Sequence, residues 1–228
     1  MRRGPGLELR DRAEWLHRSC QAILRGIGVQ IVCRGPRPAS GLVNSNHLSY
    51  LDIAVYAAAL PCVFVSKREV HSWPAIGMLA GCAGTIFLDR QSHASADAVA
   101  REMGEALKAD VPVLLFPEGT STDGSEVRRF HPTLMGPAVE MQREIAAAAI
   151  AYRANGVEER ELCWYGDASF VPHLLQLLGR SGIVAEVEFY PEASVYSERK
   201  AAAQDVQEKV AAMRKRMGRE QQVTSGGS

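Results

Sequence analysis

Residues 92–121 read SHASADAVAREMGEALKADVPVLLFPEGTS. The first part, Ser92–Lys108, carries apolar residues at helical spacing with charges between them, which predicts an amphipathic helix. The second, VPVLLF (111–116), is an unbroken apolar run of strand length, as expected of a strand covered on both faces. Pro117 stops it, and Glu118, Gly119 and Thr120 open a polar loop. A helix feeding straight into a buried strand is the repeating unit of an α/β fold with a largely parallel sheet.

The alternation extends both ways. Upstream, GVQIVC (28–33) and GLVNSN (41–46) read as strands, Tyr50–Leu60 as a helix stopped by Pro61, CVFVS (62–66) as a strand, 74–81 as a helix and GTIFL (84–88) as a strand. Downstream, Thr133–Arg143 reads as a helix. IAAAAIAY (145–152) is an apolar segment whose alanines suit helix or strand. A helix over Ala168–Leu178 precedes the strand GIVAEVEFY (182–190), whose alternation predicts one wetter face, and a long helix covers 197–217. The expected organisation is a basic amphipathic helix and first strand in 1–37, one α/β domain in 38–219, and a disordered tail in 220–228.

The 228 residues balance 26 Lys and Arg against 26 Asp and Glu. That neutrality reads against a dedicated nucleic-acid binder, and the ordinary composition against disordered, collagenous or coiled-coil classes. The balance hides a split. Residues 1–37 hold eight arginines against Glu8, Asp11 and Glu14, a net +5 that the remainder offsets at −5. Leu9, Trp15, Leu16, Ile23, Leu24 and Ile27 recur there at near-helical spacing. Such a helix suits the surface of an anionic bilayer, or equally packing against the domain with a solvated arginine face. No apolar run approaches the roughly 20 residues of a membrane span, and no apolar core follows the first arginines as in a cleaved signal peptide. Cys20, Cys33, Cys62, Cys82 and Cys163 form neither a zinc pattern nor a paired framework, which fits a reducing compartment.

Three polar clusters follow predicted strands, and in parallel sheets ligands bind beyond the strand carboxyl ends. The first is NHLSYLD, with His47 and Asp52 five residues apart. A histidine there can take a proton from a hydroxyl, and a carboxylate on its other nitrogen would fix the tautomer. Asp52 equally suits a capping box with Ser49 as N-cap. The second is GTIFLDR, where Arg90 offers a planar fork to a phosphate or carboxylate, or makes an ordinary surface turn with Asp89. The third, FPEGTSTDGS, brings Glu118, Gly119 and Thr120 to a loop whose backbone could approach a ligand; a loop that merely caps the strand, with Asp123-Gly124 as its turn, explains it as well. No glycine-rich nucleotide loop, Walker loop or G-x-S-x-G elbow is present, and the other histidines lack metal-ligand spacing.

Together the three clusters resemble the glycerolipid acyltransferase family, which includes the 1-acylglycerol-3-phosphate (lysophosphatidic acid) acyltransferases; the likeness runs from about residue 7 to 217. KREVHSWPAIG (67–77) looks like the connecting segment of bacterial members. The resemblance implies an acyltransferase of phospholipid biosynthesis that acylates a hydroxyl of a lyso-lipid such as 1-acylglycerol-3-phosphate, with the family's α/β fold over 38–219. By that likeness His47 is the general base and Asp52 orients it, while Gly84, Phe87 and Arg90 and then Glu118, Gly119 and Thr120 bind the acceptor head group. It implies acyl-CoA or acyl carrier protein as donor, no cofactor and no metal. The expected seat is the cytoplasmic face of a membrane, held peripherally. Two departures stand out. Ser121 replaces the family's arginine, and IAAAAIAYR lacks the proline of the fourth block. LCWYGDASFVPHL (162–174) looks like members that acylate lyso-ornithine lipids, an alternative acceptor. A non-catalytic lipid- or carrier-binding relative and a thioesterase-like hydrolase are the competing classes.

Overall fold

The computed structural model describes residues 8–67, 85–88 and 93–225. Its elements in chain order are α1 (Leu9–Gly26), β1 (Gln30–Arg34), β2 (Leu42–Ser45), α2 (Leu51–Ala59), β3 (Val63–Lys67), β4 (Ile86–Leu88), α3 (His93–Lys108), β5 (Val113–Leu115), α4 (Gly136–Glu140), β6 (Ile145–Arg153), α5 (Phe170–Leu178), β7 (Val184–Phe189) and α6 (Arg199–Ser225). The strands form one sheet in the order β1-β7-β6-β2-β5-β3-β4. From β6 to β4 all neighbours are parallel; β7 runs antiparallel to β6, with β1 parallel to β7 at the edge. The mixed α/β fold read from the sequence is therefore present.

Two apolar layers enclose the sheet. Leu16, Cys20 and Leu24 of α1, most of α2, and Leu177 of α5 pack on one face with Val43, Leu114 and Ile150. Val99, Met103 and Leu107 of α3, Ala138 of α4, and Val206, Val210 and Met213 of α6 pack on the other with Leu42, Val113 and Leu115. The alternation along β2 sends Leu42 and Val43 to opposite layers. In β6 the ambiguity of the alanine run resolves as strand. Ala147, Ala149 and Ala151 face one layer and Ala146, Ala148 and Ile150 the other. Burial on both sides removes the polar alternation that would have announced it.

Several elements differ from the sequence reading. The expected helix Thr133–Arg143 is a 3₁₀ turn, Thr133–Met135, followed by the short α4. It ends where Gln142 adopts φ 52°, a left-handed residue that breaks helical continuation. The wetter face of β7 is closed: Glu186 is paired with Arg153 Nε at 2.6 Å and Glu188 with Arg216 of α6 at 2.5 Å. Helix α6 continues to Ser225, through much of the expected tail; Glu220, Gln221 and Gln222 are good helix formers.

The stripe read along the N-terminal helix divides in two. Ala13, Leu16, Cys20 and Leu24 are buried at i, i+3, i+7 and i+11. His17 Nδ1 at 2.7 Å from Ala57 O, and Gln21 Nε2 at 3.2 Å from Ala58 O, satisfy carbonyls at the end of α2. α1 is thus fastened to the domain, while Trp15 (44% exposed), Ile23 (41%) and Ile27 stay on its outer side. No helix among the described residues is long and apolar enough to cross a membrane.

Candidate active site

β2 and β5 are adjacent and parallel, with Asn44 opposite Leu115, so the turns leaving their carboxyl ends emerge together. How β2 ends decides the first turn. Asn46 Nδ2 donates to Ile150 O at 3.1 Å, and Ile150 N donates to Asn46 Oδ1 at 2.9 Å. The side-chain amide replaces a backbone unit in the ladder with β6, so the chain can leave the sheet at His47 without orphaning Ile150.

His47 Nδ1 lies 2.7 Å from Asp52 Oδ2. That oxygen also accepts from Leu48 N at 2.6 Å and Ser49 N at 3.1 Å, and Tyr152 Oη donates to Oδ1 at 2.6 Å. Asp52 is fully buried, and an arrangement of donors alone suits a carboxylate. Nδ1 therefore carries the imidazole proton and Nε2 presents its lone pair. Half of the expected capping box forms: Asp52 accepts from Ser49 N, but Ser49 Oγ accepts from Leu51 N at 3.4 Å rather than from Asp52 N. The same carboxylate closes the turn and holds the histidine.

The loop after β5 is laced to this turn. The imidazole of His47 stacks on Phe116, with centroids 4.2 Å apart. Thr122 N donates to His47 O at 2.9 Å. Glu118 is buried (5% exposed). Its Oε1 accepts from His47 N at 2.8 Å and its Oε2 from Arg128 N at 3.0 Å. Burial raises its pKa above the ordinary carboxylate value, against the pull of those two N–H groups. Glu118, read from sequence as a head-group contact, commits both oxygens to backbone. Gly119 makes the turn at φ 72°, a conformation that penalises any side chain. Glu118, Gly119 and the exposed Thr120 line a cleft of about 770 Å³ together with Glu126, Val127, Arg128, Arg129 and His131.

Phe87 is the middle residue of β4. Gly84 and Arg90, the other two residues of the second cluster, lie outside the described residues, as does the segment expected to be a helix at 74–81. Cys163 is buried, and burial drives its thiol far above the ordinary range, which disfavours the thiolate a nucleophile needs.

A family model described as acyltransferase matches residues 30–151. The chain belongs to the acyltransferase family. It is 38% identical to a lyso-ornithine lipid O-acyltransferase of Pseudomonas aeruginosa over 75% of this chain, and it spans 65% of that relative's length, just under two thirds. It is 27% identical to a 1-acyl-sn-glycerol-3-phosphate acyltransferase of Neisseria gonorrhoeae, over 82% of this chain and 74% of that one. The crystal structure of the 1-acyl-sn-glycerophosphate acyltransferase PlsC from Thermotoga maritima shares its fold, with a TM-score of 0.68 at 17% identity, covering 90% of this chain and 79% of that one.

Within this acyltransferase fold, sequence reasoning passed over Asn46, Tyr152 and Glu159, and it read Arg214 only as part of the basic stretch Arg214–Arg219, an alternative membrane contact. Arg214 of α6 donates to Glu159 Oε1 at 3.0 Å and Oε2 at 2.7 Å, to Ile150 O at 3.0 Å and to Gly124 O at 2.9 Å. It joins β6 to the loop that follows β5. Only the final Tyr of IAAAAIAY carried any local signal, as a phenol ending an apolar run. The segment 162–174 also reaches the site: Trp164 N donates to Leu48 O at 2.8 Å, and His173 Nδ1 lies 3.1 Å from Tyr50 Oη.

Proposed function

We propose that this protein transfers an acyl chain from an acyl thioester, of coenzyme A or acyl carrier protein, to the hydroxyl of a lyso-lipid, with lyso-ornithine lipid as the acceptor. The observation that carries the reading is the His47–Asp52 pair at 2.7 Å, with Nε2 left as the basic nitrogen. His47 takes the proton of the acceptor hydroxyl as its oxygen attacks the thioester carbonyl. The tetrahedral intermediate then collapses, the C–S bond breaks, and the imidazolium returns the proton to the departing thiolate. Ester and free thiol are the products, with no covalent enzyme intermediate and no cofactor or metal.

Three observations support the acceptor. The relative from Pseudomonas aeruginosa carries that activity in its name. The segment 162–174, which resembles lyso-ornithine lipid acyltransferases, contacts Leu48 and Tyr50 beside the proposed base. Ser121 stands where a phosphate-binding arginine would be expected, while the cleft beside Gly119 and Thr120 offers Arg128 and Arg129 along with Glu126. Charges of both signs suit a head group bearing a carboxylate and an ammonium. The protein would work peripherally on the cytoplasmic face of an anionic membrane, where both substrates are reached.

The test is to incubate the purified protein with acyl-CoA or acyl carrier protein thioester and lyso-ornithine lipid, lysophosphatidate or no acceptor, and to weigh the products. Acylated ornithine lipid from wild type and none from His47→Ala is expected. Acylation of lysophosphatidate alone would move the acceptor to the glycerophosphate class. Free fatty acid alone would make the protein a hydrolase, and equal product from His47→Ala would remove the base.

A further inference from the structure

The four hydrogen bonds to Asp52 differ in origin. Three converge on Oδ2 and come from the same turn, from His47 Nδ1, Leu48 N and Ser49 N. The bond to Oδ1 comes from Tyr152 on β6, 100 residues away in sequence. Rotation about the last torsion of an aspartate moves both carboxylate oxygens together, so the bond at Oδ1 resists the same rotation as the three at Oδ2, and it is the one that ties the carboxylate to the sheet rather than to its own turn. We propose that Tyr152 is a positioning residue for acyl transfer, its phenol fixing Asp52 so that Oδ2 stays on His47 Nδ1; this rests on His47 being the base.

The phenol is itself held in place. Tyr152 is wholly buried. Its backbone N–H donates to Glu159 Oε1 at 2.8 Å, and Arg214 grips both oxygens of Glu159. Burial, reinforced by the charge of Asp52, pushes the phenol far above its ordinary range, so it remains a donor at every working pH. By drawing charge toward Oδ1, that bond limits how strongly Oδ2 stabilises the imidazolium form of His47. Other groups face the pair too: Glu118 from the loop after β5, Tyr56 from α2, Cys163 from the segment before α5, and Arg214 from α6. None of the four is given a hydrogen bond by the Tyr152 hydroxyl, whose partner is Asp52 Oδ1.

Tyr152→Phe removes that hydroxyl and keeps the ring. The expected result is a fall in kcat of about 10- to 100-fold, in the range of losses when an orienting hydrogen bond is removed. The acceptor KM should stay near wild type, and the acid limb of the kcat/KM profile should move to higher pH. In an Asp52→Asn background the same change should cost little further, because the two act as one unit. A folded Tyr152→Phe protein with wild-type kcat and an unmoved limb overturns the proposal. Should that variant fail to fold, 3-fluorotyrosine at 152 keeps the volume and makes a stronger donor. Its acid limb should move to lower pH, and an unmoved limb overturns the proposal equally. If His47→Ala retains wild-type rates, the base assignment fails; if that variant is inactive and both changes at 152 are silent, only the role of Tyr152 fails.

Discussion

The backbone N–H of His47 donates to Glu118 Oε1 at 2.8 Å, joining two sequence clusters 71 residues apart. The other oxygen of Glu118 holds Arg128 N at 3.0 Å, so one buried carboxylate braces the turn bearing the proposed base against the wall of the cleft. Glu118→Gln turns one acceptor into a donor facing an N–H group. A loss of about 1.5–3 kcal/mol is expected, the scale of a hydrogen bond to a charged group, with kcat falling alongside Tm. A rise in acceptor KM alone, at unchanged Tm, would return Glu118 to the role of head-group contact.

Asp52→Asn retains the shape of the pair but gives His47 Nδ1 an uncharged partner. Initial rates of ester formation should fall by about two to four orders of magnitude, with circular dichroism unchanged. A rate within threefold of wild type would leave Asp52 only its turn-closing role.

Arg214 and Glu159 are largely shielded from water, at 11% and 19% side-chain exposure. Arg214→Ala would leave the Glu159 carboxylate without its cation and take the Arg214 donor from Gly124 O, while Ile150 O keeps Asn46 Nδ2. Breaking one half of such a pair costs about 3–5 kcal/mol, a fall in Tm on the order of 10 °C for a chain of this size. Thermal denaturation checks this, and a shift under about 2 °C would contradict it.

His173 is buried, and desolvation lowers its pKa below the ordinary 6.5. The unfolded chain therefore takes up a proton that the folded protein resists. Stability is complete above about pH 6.5 and declines as the pH falls below it. Tm measured between pH 5 and pH 8 should drop more steeply for wild type than for His173→Gln; parallel curves would exclude the effect.

Trp15 and Ile23 face outward from α1, near the exposed Arg18 and Arg25. Replacing Trp15 and Ile23 together by glutamate should weaken flotation with anionic vesicles by about tenfold or more, and added salt should weaken the wild type. Undiminished flotation would assign membrane contact to another surface.

Among the described residues, the order of strands and most helices, the polar turns after β2 and β5 and the His47–Asp52 pair were legible in the sequence, because each is a local pattern of spacing, breakers and residue type. The alanine strand was not, since burial on both faces erases periodicity, and neither was the division of α1 into a packed side and an outer side. The bonds of Asn46 to Ile150, Tyr152 to Asp52, Glu118 to His47 and Arg214 to Glu159 span between 55 and 104 residues. Such pairings leave no mark in local sequence, because they exist only once the parallel sheet has brought β2, β5 and β6 side by side. The sequence alone determined which residues could do chemistry; the sheet decided which of them would hold the others still.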